Sequence, residues 1–221
     1  MPIHTDKKYE EDLEGLKVEI LKMGARVEEM VARSMQVLTE RNSQLAQTVM
    51  QMDPEVNQLE MAIDERCTEL LALHQPAASD LRFIAIGFRV SKDLERIGDL
   101  AVNICEQGLD LNREPHLKAA VDLPNLAAKA QQMVHQTLDA FVRKDVDLAQ
   151  QVCGLDDEVD EQNDRVFQEL VAMMQQDSQT VSRGVRLILV ARHLERIADH
   201  ATNLAEEVIF MAQGKDIRHG H

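Results

Sequence analysis

The sequence predicts an all-α protein made of two tandem, sequence-related three-helix bundles. Three observations carry this. Gly (9) and Pro (5) are scarce among 221 residues and aromatics make up 3%, while Leu, Ala, Met, Glu and Gln abound, which is helix-forming composition. Apolar residues recur at three- and four-residue steps over long stretches, the signature of amphipathic helices. The chain also repeats itself. Residues 92–106 read KDLERIGDLAVNICE, and from Arg192 the chain reads RHLERIADHATNLAE, a constant 100 residues later. A repeat of this length is an architectural statement before it is anything else.

Taken in order, residues 6 to about 40 carry one unbroken helical pattern through Leu13, Leu16, Ile20, Met23, Val27, Met30, Val31 and Leu38, with Gly24 as a soft point. A break near Asn42 starts a second helix through Leu45, Val49, Val56, Leu59, Ile63 and Leu70 to about His74. Pro54 marks a kink or a late start in it. The loop HQPAASD follows at 74–80, where Pro76 stops the helix and Ser79 or Asp80 is placed to cap the next one. The third helix runs to about Asn112. REPHLKAAVDLP at 113–124 contains two prolines and reads as the connection, giving a first bundle at 1–113, a linker at 114–124 and a second bundle at 125–221.

The plan then restarts. Met133-Val134 repeats Met30-Val31, Leu148-Ala149-Gln150 repeats Leu45-Ala46-Gln47, and Asp156-x-Glu158-Val159 repeats Asp53-x-Glu55-Val56, each 103 residues on. The third helices match at 100, so three residues are lost between the second and third helices, where a loop absorbs them most cheaply. Long helices joined by short connections pack antiparallel at roughly 20°.

Composition limits the function. A net charge of −15 and a pI of about 4.9 argue against nucleic acid, which requires a basic footprint, and against general attraction to anionic lipid. Trp is absent and Tyr occurs once, so bases have no aromatic platform. Cys67, Cys105 and Cys153 are far apart without a CxxC, as expected of reduced thiols in the cytosol. No apolar run approaches the length that inserts into a membrane, and the first residues do not read as a signal peptide. The expected location is cytoplasmic.

The duplicated segment holds the candidate site. Leu94, Ile97, Ala101 and Ile104 form a buried stripe, as do Leu194, Ile197, Ala201 and Leu204. At about 100° per residue, Glu95, Asp99, Asn103 and Glu106 fall in a sector of roughly 80° on the opposite side. Glu195, Asp199, Asn203 and Glu206 do the same. Like charges at i, i+4 weaken a helix slightly, and this chain carries that cost twice in register. One reading is a solvated acidic face; the other is a hard-cation site, since all-oxygen donors suit Mg, Ca, Mn or Fe.

Folding each hairpin brings further oxygens from the second helix. Asp53, Asn57, Glu60 and Asp64 share one flank, with Glu60 expected near Glu95 and Asp53 or Asn57 near Asp99. In the second half Glu161 is expected level with Glu195 and Asp157 with Asp199, with Asp156 and Asp160 alongside. Without a cation such clusters repel and raise carboxylate pKa values. A ferritin-like oxidoreductase would need Glu-x-x-His, and none of the eight His has Glu three residues earlier. No Gly-rich phosphate loop and no nucleophile–His pairing is indicated either.

At this point the chain resembles the PhoU family, regulators of bacterial phosphate-specific transport, over nearly its whole length. The resemblance rests on Ala62-Ile63-Asp64-Glu65, on Gln75-Pro76-x-Ala78-Ser79-Asp80-Leu81-Arg82, on LERIGD at 94–99 and LERIAD at 194–199, and on Asp177-Ser178-x-Thr180 and Arg218-His219. It implies a PhoU-like six-helix fold without catalytic activity. It implies iron, zinc, manganese, magnesium or another divalent or trivalent metal at Glu95-x-x-x-Asp99 and Glu195-x-x-x-Asp199. It implies contacts with the ATPase subunit of the phosphate ABC transporter (PstB-like) and with a sensor histidine kinase (PhoR-like), a homodimer, and peripheral association with the inner membrane through those partners. Two departures stand out. Residues 176–182 keep neither the Pro nor the Arg of QPxASDLR, and Asn57 stands where the second half has Asp160, so the halves need not bind metal equally. A metal-free adaptor whose acidic faces contact partner proteins is the alternative.

Overall fold

The computed structural model describes residues 7–117 and 122–215. Among them there is no strand. The first half contains α1 (Lys7–Thr39), α2 (Ser43–Leu73) and α3 (Ala78–Asn112). The second contains α4 (Leu123–Arg143), α5 (Val146–Cys153), α6 (Asp156–Gln176) and α7 (Val181–Gln213), with a single 3-10 turn at Ser178–Thr180. The Arg218-His219 pair lies outside the described residues.

The repeat extends to the turns. Arg41 and Lys144, 103 residues apart, both hold φ at 54°, and each is followed by a capping residue. Asn42 accepts from the Gln44 N–H at 3.1 Å, and Asp145 from the Leu148 N–H at 3.0 Å. These side chains satisfy backbone donors that a helix start leaves open.

Four expectations need correction. The second half divides its second helix at Gly154-Leu155, where the Leu155 N–H bonds back only three residues, to Val152. The chain does not leave the helical region there, so the break is a kink. Pro54 lies inside a continuous α2; its missing N–H removes one bond from a helix long enough to tolerate the loss. Neither Ser79 nor Asp80 caps α3. Ala77 holds the N-cap position without a side-chain bond, while Asp80, in the first turn, accepts from the Tyr9 hydroxyl at 3.3 Å. Pro124 belongs to the first turn of α4 rather than to the linker, where its fixed φ suits a helix start.

Gly24 does not soften α1. A Cβ there would sit 2.7 Å from Leu138 Cδ2 of α4, so this glycine lets the two halves approach. The halves join broadly: α3 packs against α7 and α1 against α4. Phe83 stacks on Phe141 with ring centroids 6.1 Å apart. Arg89 meets the buried Glu207 at 2.9 Å, His200 Nδ1 lies 2.9 Å from Asp93, and Arg186 lies 2.6 Å from Asp110. The buried apolar residues of both halves form one continuous core.

Candidate functional site

Burial of Leu94, Ile97, Ala101 and Ile104, and of Leu194, Ile197, Ala201 and Leu204, orients the third helix of each half. The acidic stripe is thereby turned into the groove shared with the preceding helix. α2 and α3 line the first groove; α6 and α7 line the second.

In the first groove Asp53 faces Asp99. Burial pushes the Asp53 carboxyl up, the Asp99 charge adds to this, and the Asn57 amide, donating at 3.1 Å, opposes it. Glu95 is raised by burial, then by Asp99, with Glu60 and Asp53 contributing and Arg96 opposing. Glu60 is raised by burial and then by Asp64, against the pull of Arg96 and Lys92. Arg96 donates to Asp99 at 3.1 Å and lies 3.5 Å from Glu95, so this groove is partly neutralised. The Asn57 Oδ1 is buried without a hydrogen-bond partner. The pairing of Glu60 with Glu95 and of Asp53 with Asp99 therefore follows the sequence reading.

The second groove differs. Asp199 is pushed from its ordinary 3.8 up to about 6, by burial of its carboxyl first and then by Asp156, Glu195 and Asp160. Glu195 is raised by burial, then Asp160, with Arg192 opposing. Asp160 is raised by burial, then Asp156. Thr202 donates to Asp156 at 3.0 Å. Asp156 and Asp160, not Asp157 and Glu161, face α7. Val159, Gln162, Val166 and Leu170 are the buried face of α6, which turns Asp157 and Glu161 to solvent, with Glu161 3.6 Å from Arg165. Judging the helices by level alone missed this rotation about the axis. Asp164, which faces Glu195, continues the four-residue run from Asp156 and Asp160 and was legible in that spacing.

The outer members of each stripe sit further along. Asn103 and Glu106 are about one and two turns beyond Asp99; Glu106 is exposed and acts on the neighbouring Cys105 thiol, which burial pushes up to about 12. Asn203 is exposed, and Glu206 lies near Cys153, whose thiol burial, then Glu206 and Asp156, push up to about 11. All three cysteines are free thiols.

The donor set is chemically suited to a hard cation: carboxylates that repel one another, and an amide oxygen lacking a donor. Among the described residues, however, no three His, Cys, Asp or Glu side chains converge as a formed ligand set. The carboxylates share each groove without meeting at a point. Among the described residues no helix is long and apolar enough to cross a membrane.

Comparison with known proteins follows the same duplication. The PhoU domain model matches twice, over residues 20–108 and 123–208. The phosphate-specific transport system accessory protein PhoU homolog of Pseudomonas aeruginosa is 40% identical over 217 residues, 98% of this chain and 90% of that protein. The accessory protein PhoU of Escherichia coli is 34% identical over 216 residues, covering 98% and 90%. The crystal structure of PhoU from Pseudomonas aeruginosa superposes with a TM-score of 0.91 at 39% identity, over 94% of this chain and all of that one. The phosphate transport system regulatory protein PhoU from Streptococcus pneumoniae gives 0.86 at 25% identity, over 94% and 98%. Two matched domains, near-complete coverage and a shared fold place this chain in the PhoU family, whose members are accessory and regulatory proteins of phosphate transport.

Proposed function

We propose that this chain holds the phosphate-starvation response off when phosphate is plentiful. In this reading it couples the ATPase subunit of the phosphate transporter to a sensor histidine kinase, restrains phosphate uptake, and acts as a non-catalytic cytoplasmic homodimer at the inner membrane. The observation that carries the reading is the duplicated acidic groove in a chain of this family. A regulator of this kind shifts its partner's equilibrium only by binding one state better than another, and two rigid helical grooves of strong charge offer the differential contact.

Metal belongs to the same proposal. Asp53, Glu95 and Asp99, with the amide oxygen of Asn57, would hold a cation in the first groove, and Asp156, Asp160, Glu195 and Asp199 in the second. A bound cation would supply charge neutralisation where these carboxylates now repel. The metal-free adaptor is favoured only by the lack of a formed ligand set among the described residues.

Alkaline phosphatase activity, as a starvation reporter, tests the regulatory reading. Cells lacking the protein and grown in excess phosphate are expected to show high activity, at least about tenfold above wild type, a factor equivalent to 1.4 kcal/mol in an equilibrium. This chain is expected to restore it to the low level. Low activity in the deletion strain would contradict the reading.

A further inference from the structure

The halves meet at two junctions built from matching positions and filled differently. Where α4 finishes and α3 begins, Phe141 packs on Phe83 with ring centroids 6.1 Å apart. Leu38 stands 103 residues before Phe141, and Arg183 stands 100 residues after Phe83, the two offsets of the repeat. Where α1 finishes and α7 begins, Leu38 and Arg183 therefore hold the places of the two rings, and they border a hollow of about 140 Å³. Leu111, Leu123 and Leu187 give it apolar walls, and Arg41 stands beside them. An apolar cavity of about 150 Å³ takes one benzene molecule. The hollow is thus the size of a ring that the other junction supplies from its own chain.

Charge sets what such a ring must carry. The titratable lining of the hollow is Arg41, Arg183 and His116, with no Asp or Glu, in a chain whose net charge is −15. Arg41 donates through Nη2 to the carbonyl oxygens of Leu111 and Glu114 at 2.9 and 2.6 Å. Carbonyls fix the direction of a guanidinium without cancelling its charge, and Arg41 makes no ion pair among the described residues. Arg183 differs. It donates to the carbonyls of Pro115 and Gln179 at 3.0 and 3.1 Å, and Glu114 lies 3.6 Å from its Nε. Its charge is met and its side chain, 13% exposed, is held in place, leaving a planar group on which an aromatic face can lie.

We propose that this junction binds a small aromatic carboxylate. The ring enters among Leu38, Leu111 and Leu187 against the Arg183 guanidinium, and the carboxylate meets Arg41. Both parts of the ligand are needed. A neutral ring gives up the charge-assisted hydrogen bonds to Arg41, which are about twice as strong as neutral ones. A small anion without a ring leaves the apolar walls in water. A bound acid touches α1 and α3 of the first half and α4 and α7 of the second, so it bears on how the halves are joined. The hollow shares no lining residue with either acidic groove, and a negative result here leaves the reporter experiment standing.

The probe is para-fluorobenzoate, followed by the broadening of its fluorine NMR line on titration with the full chain. Saturable binding with a Kd of about 1 mM is expected, the scale for a ligand of about ten non-hydrogen atoms. The neutral analogue para-fluorobenzyl alcohol should bind about tenfold more weakly, and acetate at the same concentration should not displace the probe. Leu38→Phe gives this junction the ring that Phe141 supplies at the other, and should weaken binding of the acid at least about tenfold by filling the hollow. Arg41→Gln keeps a donor for the carbonyls and removes the charge. It should weaken the acid about tenfold and change the alcohol by less than about twofold, and it carries the test should Leu38→Phe fail to fold. No saturable binding, equal binding of the alcohol, or undiminished binding in either folded variant would overturn the proposal.

Discussion

Phe141→Ala is expected to lower the stability of the entire chain by about 3–5 kcal/mol, the usual range for removing a buried phenylalanine. Phe141 is 4% exposed at the end of α4 and stacks on Phe83 of α3, so the cavity opens between the halves. For a chain of this size the midpoint should fall by about 10 °C. Because one core runs through both halves, calorimetry should show a single transition displaced as a whole. Two separate transitions, only one of them displaced, would mean that the halves unfold independently.

The second large effect concerns the acidic groove. Asp156→Asn with Asp199→Asn should raise the thermal midpoint of the metal-free protein at pH 7 by a few degrees, because the variant removes facing like charges. Millimolar Mn²⁺ is expected to raise the midpoint of the unaltered chain further, by preferential binding to the folded state, and to leave that of the double variant unmoved. The pH dependence follows in sign. The folded state holds the Asp199 proton more tightly than the unfolded chain, since the carboxyl rises from 3.8 to about 6. Between those values the folded state binds more protons, so stability falls as pH climbs from about 4 to about 6 and is level above that. Glu95, Asp53, Glu60, Glu195 and Asp160 are shifted in the same direction. The double variant should lose part of this slope. Equal midpoints and an equal response to Mn²⁺ in both proteins would remove the second groove from consideration as a cation site.

Much of this was legible in the sequence because helices write their contacts at fixed spacing. The apolar stripes around Ile97 and Ile197 fixed which face of the third helix is buried, and the offsets of 103 and 100 located the turns. The three missing residues correspond to Gln75-Pro76-Ala77: at the two offsets Asp177 stands where the first half has His74, and the 3-10 turn Ser178–Thr180 stands where α3 has its first three residues. What escaped was rotation and long-range approach. The facing of Asp156 and Asp160 depends on how α6 is turned about its axis after the Gly154-Leu155 kink. Gly24 read as a weak point because its neighbour, Leu138, is over a hundred residues away. The Tyr9–Asp80 bond, which takes Asp80 away from a capping role, joins residues 71 apart.

The most direct measurement combines the groove with the signal. Glu95, Asp99, Glu195 and Asp199 are changed together to Ala, and alkaline phosphatase is assayed in the deletion strain at excess phosphate, with protein level and helical ellipticity verified. The account predicts activity as high as with no protein, because both grooves have lost the charges that partner or metal must read. Full repression by this variant would contradict it, and would move regulation away from the duplicated acidic motifs to some other surface of the chain.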